Sequence, residues 1–246
     1  MSAFHWHGLM MALAWLVLLP AGALVARFYK VLPGQDFPAV TDSRVWWRAH
    51  LLLQYGGTAL AAAGLWTAWD ALDGAWDLSN PHAVLGLAVM GLCAMQVLSG
   101  VLRGTKGGPA DTHADPADPG TWRGDHFDMT RRRRLFEGWH KRAGYLAFLL
   151  AVPATWLGAG MLGLPGWVQA LPLVSAAAFA AAYARLTRRG RRVDTWAAIW
   201  GPAPVPTRPG EEPEDATAAR GGLSRTGHIL GHGAAEGGHP NQPGLR

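Results

Sequence analysis

The chain holds ten histidines, and five of them, His5, His7, His50, His82 and His140, fall at the starts of long charge-free stretches. Imidazole is the side chain whose charge changes near neutral pH, and it is the commonest metal ligand, through either ring nitrogen. In an apolar setting a neutral imidazole is a costly group that needs a bonding partner, which makes these five candidate ligands. His113, His126, His228, His232 and His239 fall in connecting or tail sequence and are expected to be solvated surface imidazoles. His228 and His232 are four apart, the spacing of one helix face, but the glycines around them argue against a helix there.

The elements that position the five come from the charge pattern. Residues 8–26, 51–69, 83–102, 143–166 and 167–184 contain no Asp, Glu, Lys or Arg. A bilayer core takes roughly 20 apolar residues per helix, range about 17–25, so the sequence predicts five membrane-spanning helices, the last two joined at "GLPG". Their expected bounds are about 7–28, 45–69, 81–102, 139–162 and 167–186, within a membrane domain over 1–201. The first lacks a basic leader region and continues apolar past a typical signal segment, so it reads as a mature span. Beyond it, 202–246 is rich in Pro, Gly and Glu and is expected to be a disordered cytoplasmic tail.

Orientation follows from the cations. All 22 Lys and Arg residues fall in segments 27–48, 103–142, 185–192 and the tail, which five spans place on one face. The opposite face carries none and holds Asp70, Asp73 and Asp77 in its loop. The positive-inside rule puts the N-terminus outside, the C-terminus in the cytoplasm, and the chain in an inner, cytoplasmic membrane. Trp6, Trp46, Trp47, Trp66, Trp69, Trp139 and Trp167 lie near span ends and are expected to be interfacial anchors. Asn80 with Pro81 reads as a helix cap, as does Asp42 or Ser43 for the second helix. Four arginines after Thr130 oppose a helix dipole, so 130–139 is expected to be a basic interfacial lead-in. No ionisable Asp, Glu, Lys or Arg lies within a span, which removes the usual basis for proton or solute transport.

Topology turns the histidines into pairs. Helices one and three run inward, so His7 and His82 start near the outer face; helices two and four run outward, so His50 and His140 start near the cytoplasmic face. Two neutral imidazoles at one depth suit axial ligation of a haem iron, each giving one bond, with the apolar ring filling the space between helices. Zinc fits less well, since it takes four ligands and no Cys, Asp or Glu joins either pair. The lone Cys93 cannot form an internal disulfide, and the covalent haem motif C-x-x-C-H is absent. His5 and His7 lie roughly 200° apart around a helix, so only one can face a given neighbour; His7 borders the span directly.

The segments "HGLMMALAWLVLLPAGALVARF", "WWRAHLLLQYGG", "NPHAVLGLAVMGLCAMQVLSGVLRG" and "WHKRAGYLAF" resemble the four core helices of the cytochrome b561 family of di-haem transmembrane cytochromes. The resemblance implies two b-type haems, His7 paired with His82 and His50 with His140, and a bacterial-type member without a fused soluble domain. It implies electron transfer across the bilayer between a donor and an acceptor, either one a small molecule, a quinone, a ferric species or a redox protein; homodimers are common in the family. Bis-imidazole ligation leaves the iron no open position, which favours electron transfer over oxygen chemistry. Arg48, Arg103, Lys106, Lys141 and Arg142 are candidates to pair with haem propionates or an anionic donor. The outer face has no such cation, which disfavours an anionic substrate there. Gly56, Gly57, Gly86, Gly91 and Gly144 could admit close approach of a ring or helix. The connector 104–130 is long; its glycines could cradle an anion, though a flexible loop is the plainer reading. An alternative class is a membrane scaffold or redox-complex subunit whose basic face binds a partner or anionic lipid. No nucleic-acid partner is expected.

Overall fold

The structure, a computed structural model, describes residues 2–202; the expected disordered tail lies, beyond residue 202, outside the described residues. Among these, all regular structure is helical: α1 (Ala3–Phe28), α2 (Val45–Ala71), α3 (Pro81–Val101), α4 (Arg131–Met161), α5 (Gly166–Arg188) and the short α6 (Thr195–Trp200), with one 3₁₀ turn at Pro119–Trp122. Four helices, α1, α3, α4 and α5, are long and apolar enough to cross a membrane. Helix α2 has 27 residues, about 40 Å at 1.5 Å each, but Gln54, Tyr55, Gly56, Gly57 and Thr58 interrupt its apolar run.

Helix α1 is not regular. It takes one π turn at Ala14–Leu18 before returning to α geometry at Leu19. Pro20 has no N–H to give the carbonyl of Leu16, one turn back, and the Ser175 hydroxyl of α5 donates to that carbonyl at 2.7 Å instead.

The bundle is built from two hairpins, α1 packed along α2 and α3 along α4, with α5 against α1 and α4. Small residues set the spacing: Ala143, Ala147, Ala151 and Ala154 are all buried on α4, and a Cβ on Gly57 would lie 2.8 Å from the Leu19 side chain. Gly56, Gly86 and Gly91 face open space, and Gly144 comes no nearer than 3.7 Å to Gln96, so these four do not mark close packing. The core runs through Ala14, Trp15, Leu19, Ala61, Val89, Cys93, Ala147 and Ala151. Phe28 against Tyr183 (5.1 Å) and Phe148 against Phe179 (5.8 Å) join α5 to the bundle.

Several local expectations are corrected. Helix α4 begins at Arg131, not at 139: Thr130 caps it by accepting from Arg133 N, and Glu137 takes Arg133 at 3.0 Å and Lys141 at 2.8 Å, one turn to each side. Those bonds offset the unfavourable dipole term of the arginines. Asn80 does cap α3, accepting from His82 N at 2.9 Å. Neither Asp42 nor Ser43 caps α2, whose N-cap position is Arg44; Asp42 instead pairs with Lys106 at 2.8 Å.

The connector 104–130 is folded rather than loose. Its two arms pair through His126 N to Thr105 O (3.1 Å), Phe127 N to Lys106 O (3.1 Å) and Gly108 N to Trp122 O (2.7 Å). Gly107, at φ +66°, and Gly124 meet backbone to backbone, so close that a Cβ on Gly107 would lie 2.7 Å from the Gly124 Cα. Trp122, Phe127, Trp196 and Trp200 then pack the connector onto α6, with Trp196 Nε1 donating to Phe127 O at 3.0 Å. His126, expected on the surface, is 5% exposed and sits edge-on to Trp200, its centroid 4.7 Å away. Burial pushes its pKa down to about 3, with the nearby Arg133 adding to the effect, so the ring is neutral.

Candidate functional site

The histidines at the helix starts fall into two groups. His7 of α1 and His82 of α3 face each other with ring centroids 6.0 Å apart and planes at 88°. His5 points elsewhere, its Nδ1 2.7 Å from Ser2 Oγ. At the opposite end, His50 of α2 and His140 of α4 line one cavity of about 640 Å³. That volume lies within the ~300–1,000 Å³ typical of cofactor sites.

Every one of the four rings is oriented through Nδ1. His7 is 2.8 Å from Gly64 O, His50 3.0 Å from Gly22 O, and His82 2.8 Å from Ala154 O. A carbonyl can only accept, so Nδ1 carries the proton in each and Nε2 keeps its lone pair. His140 Nδ1 lies 3.2 Å from Ser99 Oγ, whose own hydrogen goes to Gln96 O at 2.9 Å; the hydroxyl therefore accepts, and His140 has the same tautomer. A ring that donates from Nδ1 to a second group while offering Nε2 is the arrangement of a metal-ligating histidine. Backbone can come this close only where a side chain is missing: a Cβ on Gly158, one turn beyond Ala154, would lie 2.8 Å from His82 Cε1.

The donor set fits a haem. With ring centres 6.0 Å apart, His7 and His82 leave room for one metal ion between their two imidazoles, each of which could supply a nitrogen at about 2 Å. Among the described residues no group of three or more His, Cys, Asp and Glu side chains converges, so each pair supplies two ligands and no more. Arg27 Nε and Gln96 Nε2 are buried without a hydrogen-bond partner, and both line the inner cavity, as donors for an anionic or carbonyl group would.

The cations divide. Arg103 and Lys141 line the inner cavity, Arg103 lying over Trp47 at 4.2 Å, and its pKa is lowered chiefly by burial. Lys106 lines a smaller adjoining cavity of about 290 Å³ beside His126. Arg48 and Arg142 are exposed and line neither. Sequence reasoning missed Arg27, Lys30 and Arg133, which do line the inner cavity. Lys30 is 8% exposed, donates to Val193 O at 2.9 Å, and is pushed down to about 8, mainly by burial. Trp46 and Trp47, expected as interfacial anchors, are cavity walls, Trp46 being 7% exposed. Trp6, Trp66 and Trp167 remain outward-facing.

Residues 6–108 match the family model described as eukaryotic cytochrome b561. The chain is 30% identical over 194 residues, 76% of its length, to an Arabidopsis thaliana protein named for cytochrome b561, DM13 and DOMON domains, covering 18% of that protein. It is 28% identical over 158 residues to human ferric-chelate reductase 1, covering 64% of this chain and 23% of the relative. The chain thus spans about a fifth of the length of these relatives. No solved structure matches it. The matched segment contains His7, His50 and His82, and with the apolar helices around it the chain is a multi-pass membrane protein of the cytochrome b561 family.

Proposed function

We propose that the chain moves electrons across a membrane through two non-covalently bound b-type haems, the outer one held by His7 and His82 and the inner one by His50 and His140. The observation that carries this reading is the shared tautomer: four imidazoles at two levels, each donating from Nδ1 and each presenting a free Nε2. When bound, haem supplies a one-electron couple at each level. The chain's own residues do the rest: His7 with His82 and His50 with His140 would hold the two groups through Nε2, and the buried apolar cluster from Trp15 to Ala151 lies between the two levels. Arg27 and Arg103, which line the inner cavity, would pair with carboxylates of the inner group, whereas Arg133 and Lys141 already pair with Glu137.

In this reading α2 crosses the bilayer with the other four long helices, the N-terminus lies outside, and the cationic end faces the cytoplasm. The family relatives named as ferric-chelate reductases favour a ferric species as the acceptor, with a quinone or a partner redox protein as the other classes. Purified protein is expected to show a reducible b-type absorbance with two haems per chain; a colourless preparation would favour the scaffold reading and overturn this one. Reduction by membrane-impermeant donors added from each side of oriented vesicles reports the direction.

A further inference from the structure

The four candidate ligands are held alike except one. His7, His50 and His82 donate to backbone carbonyls, whereas His140 donates to the side chain of Ser99. A peptide carbonyl is a good acceptor with its lone pairs fixed by the helix. A serine hydroxyl is a poorer acceptor, and this one sits at 3.2 Å, longer than the 2.8–3.0 Å of the others. The Ser99 hydroxyl is not free to turn, because its hydrogen is committed to Gln96 O at 2.9 Å, one turn back on α3. The polar arm of Gln96 itself lines the inner cavity with Nε2 unpartnered.

We infer that Ser99 is a positioning residue that sets the potential of the inner haem through His140, resting on the two-haem reading above. The physics is a linkage. An Nδ1–H bond to an acceptor makes the imidazole a stronger donor at Nε2, and it is stronger when the metal is ferric, because the extra positive charge acidifies the N–H. The bond therefore stabilises the oxidised member of the one-electron couple and lowers its potential. A long bond to a hydroxyl does this less than a short bond to a carbonyl. One axial ligand of the inner site has thus a weakened brake, while both ligands of the outer site carry the full one. The cations around the inner cavity push in the same direction, since added positive charge favours the reduced state. Ser99 opposes that push only weakly, through one long bond that a single side chain controls.

The test is a redox titration of the full chain in detergent, followed in the α-band, on wild type, Ser99→Ala and Ser99→Thr. Each is also made in the His82→Ala background, where only the inner haem is expected to load. Ser99→Ala removes the acceptor and is expected to shift the inner midpoint upward while the outer midpoint stays in place. Ser99→Thr keeps the hydroxyl and is expected to leave both at wild-type values. An inner midpoint that is unmoved or falls in Ser99→Ala overturns the proposal. So does loss of the inner haem in Ser99→Ala without a shifted couple, for Ser99 would then hold His140 without tuning it. Failure of the wild type to load two haems counts against the two-haem reading instead, and the haem content of that preparation tells the two failures apart.

Discussion

His50 donates its Nδ1–H to the carbonyl of Gly22 at 3.0 Å, and the reverse bond, from His7 on Gly22's helix to Gly64 on His50's helix, ties the same two helices at their other end at 2.8 Å. Helices α3 and α4 repeat the scheme with His82 to Ala154 and His140 to Ser99. Each hairpin therefore orients its own two histidines, and each proposed haem takes one ligand from each hairpin. A cofactor bound in this way bridges two units whose direct contact is slight.

That arrangement predicts which substitutions share a phenotype. His7→Ala and His82→Ala are expected to remove the same one of two haem signals, and His50→Ala and His140→Ala the other. Pyridine-haemochrome content with redox titration of each variant checks this. His5→Ala is expected to keep both signals, because its ring lies toward Ser2. Loss patterns that cross between the pairs, or loss of a haem in His5→Ala, would refute the pairing.

Glycine positions give a steric version of the same test. Gly158→Ala would put a Cβ 2.8 Å from His82 Cε1, so the ring must move or the helix must shift. Overpacking of that kind costs about 1–3 kcal/mol, and here it falls on a proposed ligand. The expected result is loss or weakening of the outer haem signal with the inner one retained. Gly91→Ala, exposed on the face of α3 opposite His82 and with nothing within 4 Å, is the control: it is expected to keep both haems and to stabilise α3 by roughly 0.5–1 kcal/mol through helix propensity.

Charge-free stretches make the long helices legible, and the two-per-face placement of histidines singles out candidate ligands from sequence alone. What the sequence hid was contact across sequence distance. Gly64, Gly22 and Ser99 orient the rings, but nothing local marks them, since an i→i−4 pattern is silent about which carbonyl carries a second bond. Arg27, Lys30 and Arg133 were passed over because helix ends and an arginine run look alike whether a side chain turns inward or to solvent. His126 looked like a surface residue because its connector is polar on average. Trp200, which packs against it, lies more than seventy positions away.

The cavity separates cations that sequence reasoning had grouped. Arg103 reaches the inner cavity over Trp47, whereas Arg48 and Arg142 are exposed and outside it. Arg103→Ala is expected to lower inner-haem retention on gel filtration and to lower its midpoint by removing a nearby positive charge. Arg48→Ala and Arg142→Ala are expected to match wild type, as exposed cations contribute little. An Arg103→Ala protein with an unchanged inner midpoint would remove Arg103 from the site.

The buried His126 predicts an acid-sensitive connector. Its folded pKa, about 3, lies below the ordinary 6.5, chiefly through burial, with Arg133 and Arg103 lowering it further and Glu137 and Asp194 opposing. Between these two values the unfolded connector binds a proton that the folded one does not, so stability is full above pH 6.5 and falls as pH drops toward 3. Asp111 and Asp125 have pKa values held below the usual 3.8, Asp111 chiefly by the His113 N–H and Asp125 chiefly by the Thr130 hydroxyl. They lose their contribution only at lower pH, so neither carboxylate contributes to the change between pH 6.5 and about 4.5. The loss is on the order of a few kcal/mol across the whole range. Hydrogen-exchange protection factors of the His126 and Phe127 amides, which bond Thr105 and Lys106, are expected to fall through this window in wild type. In His126→Phe, which keeps the aromatic packing on Trp200 and removes the titrating group, the protection is expected to stay flat. A wild-type profile that is equally flat would mean that His126 opens to water without cost.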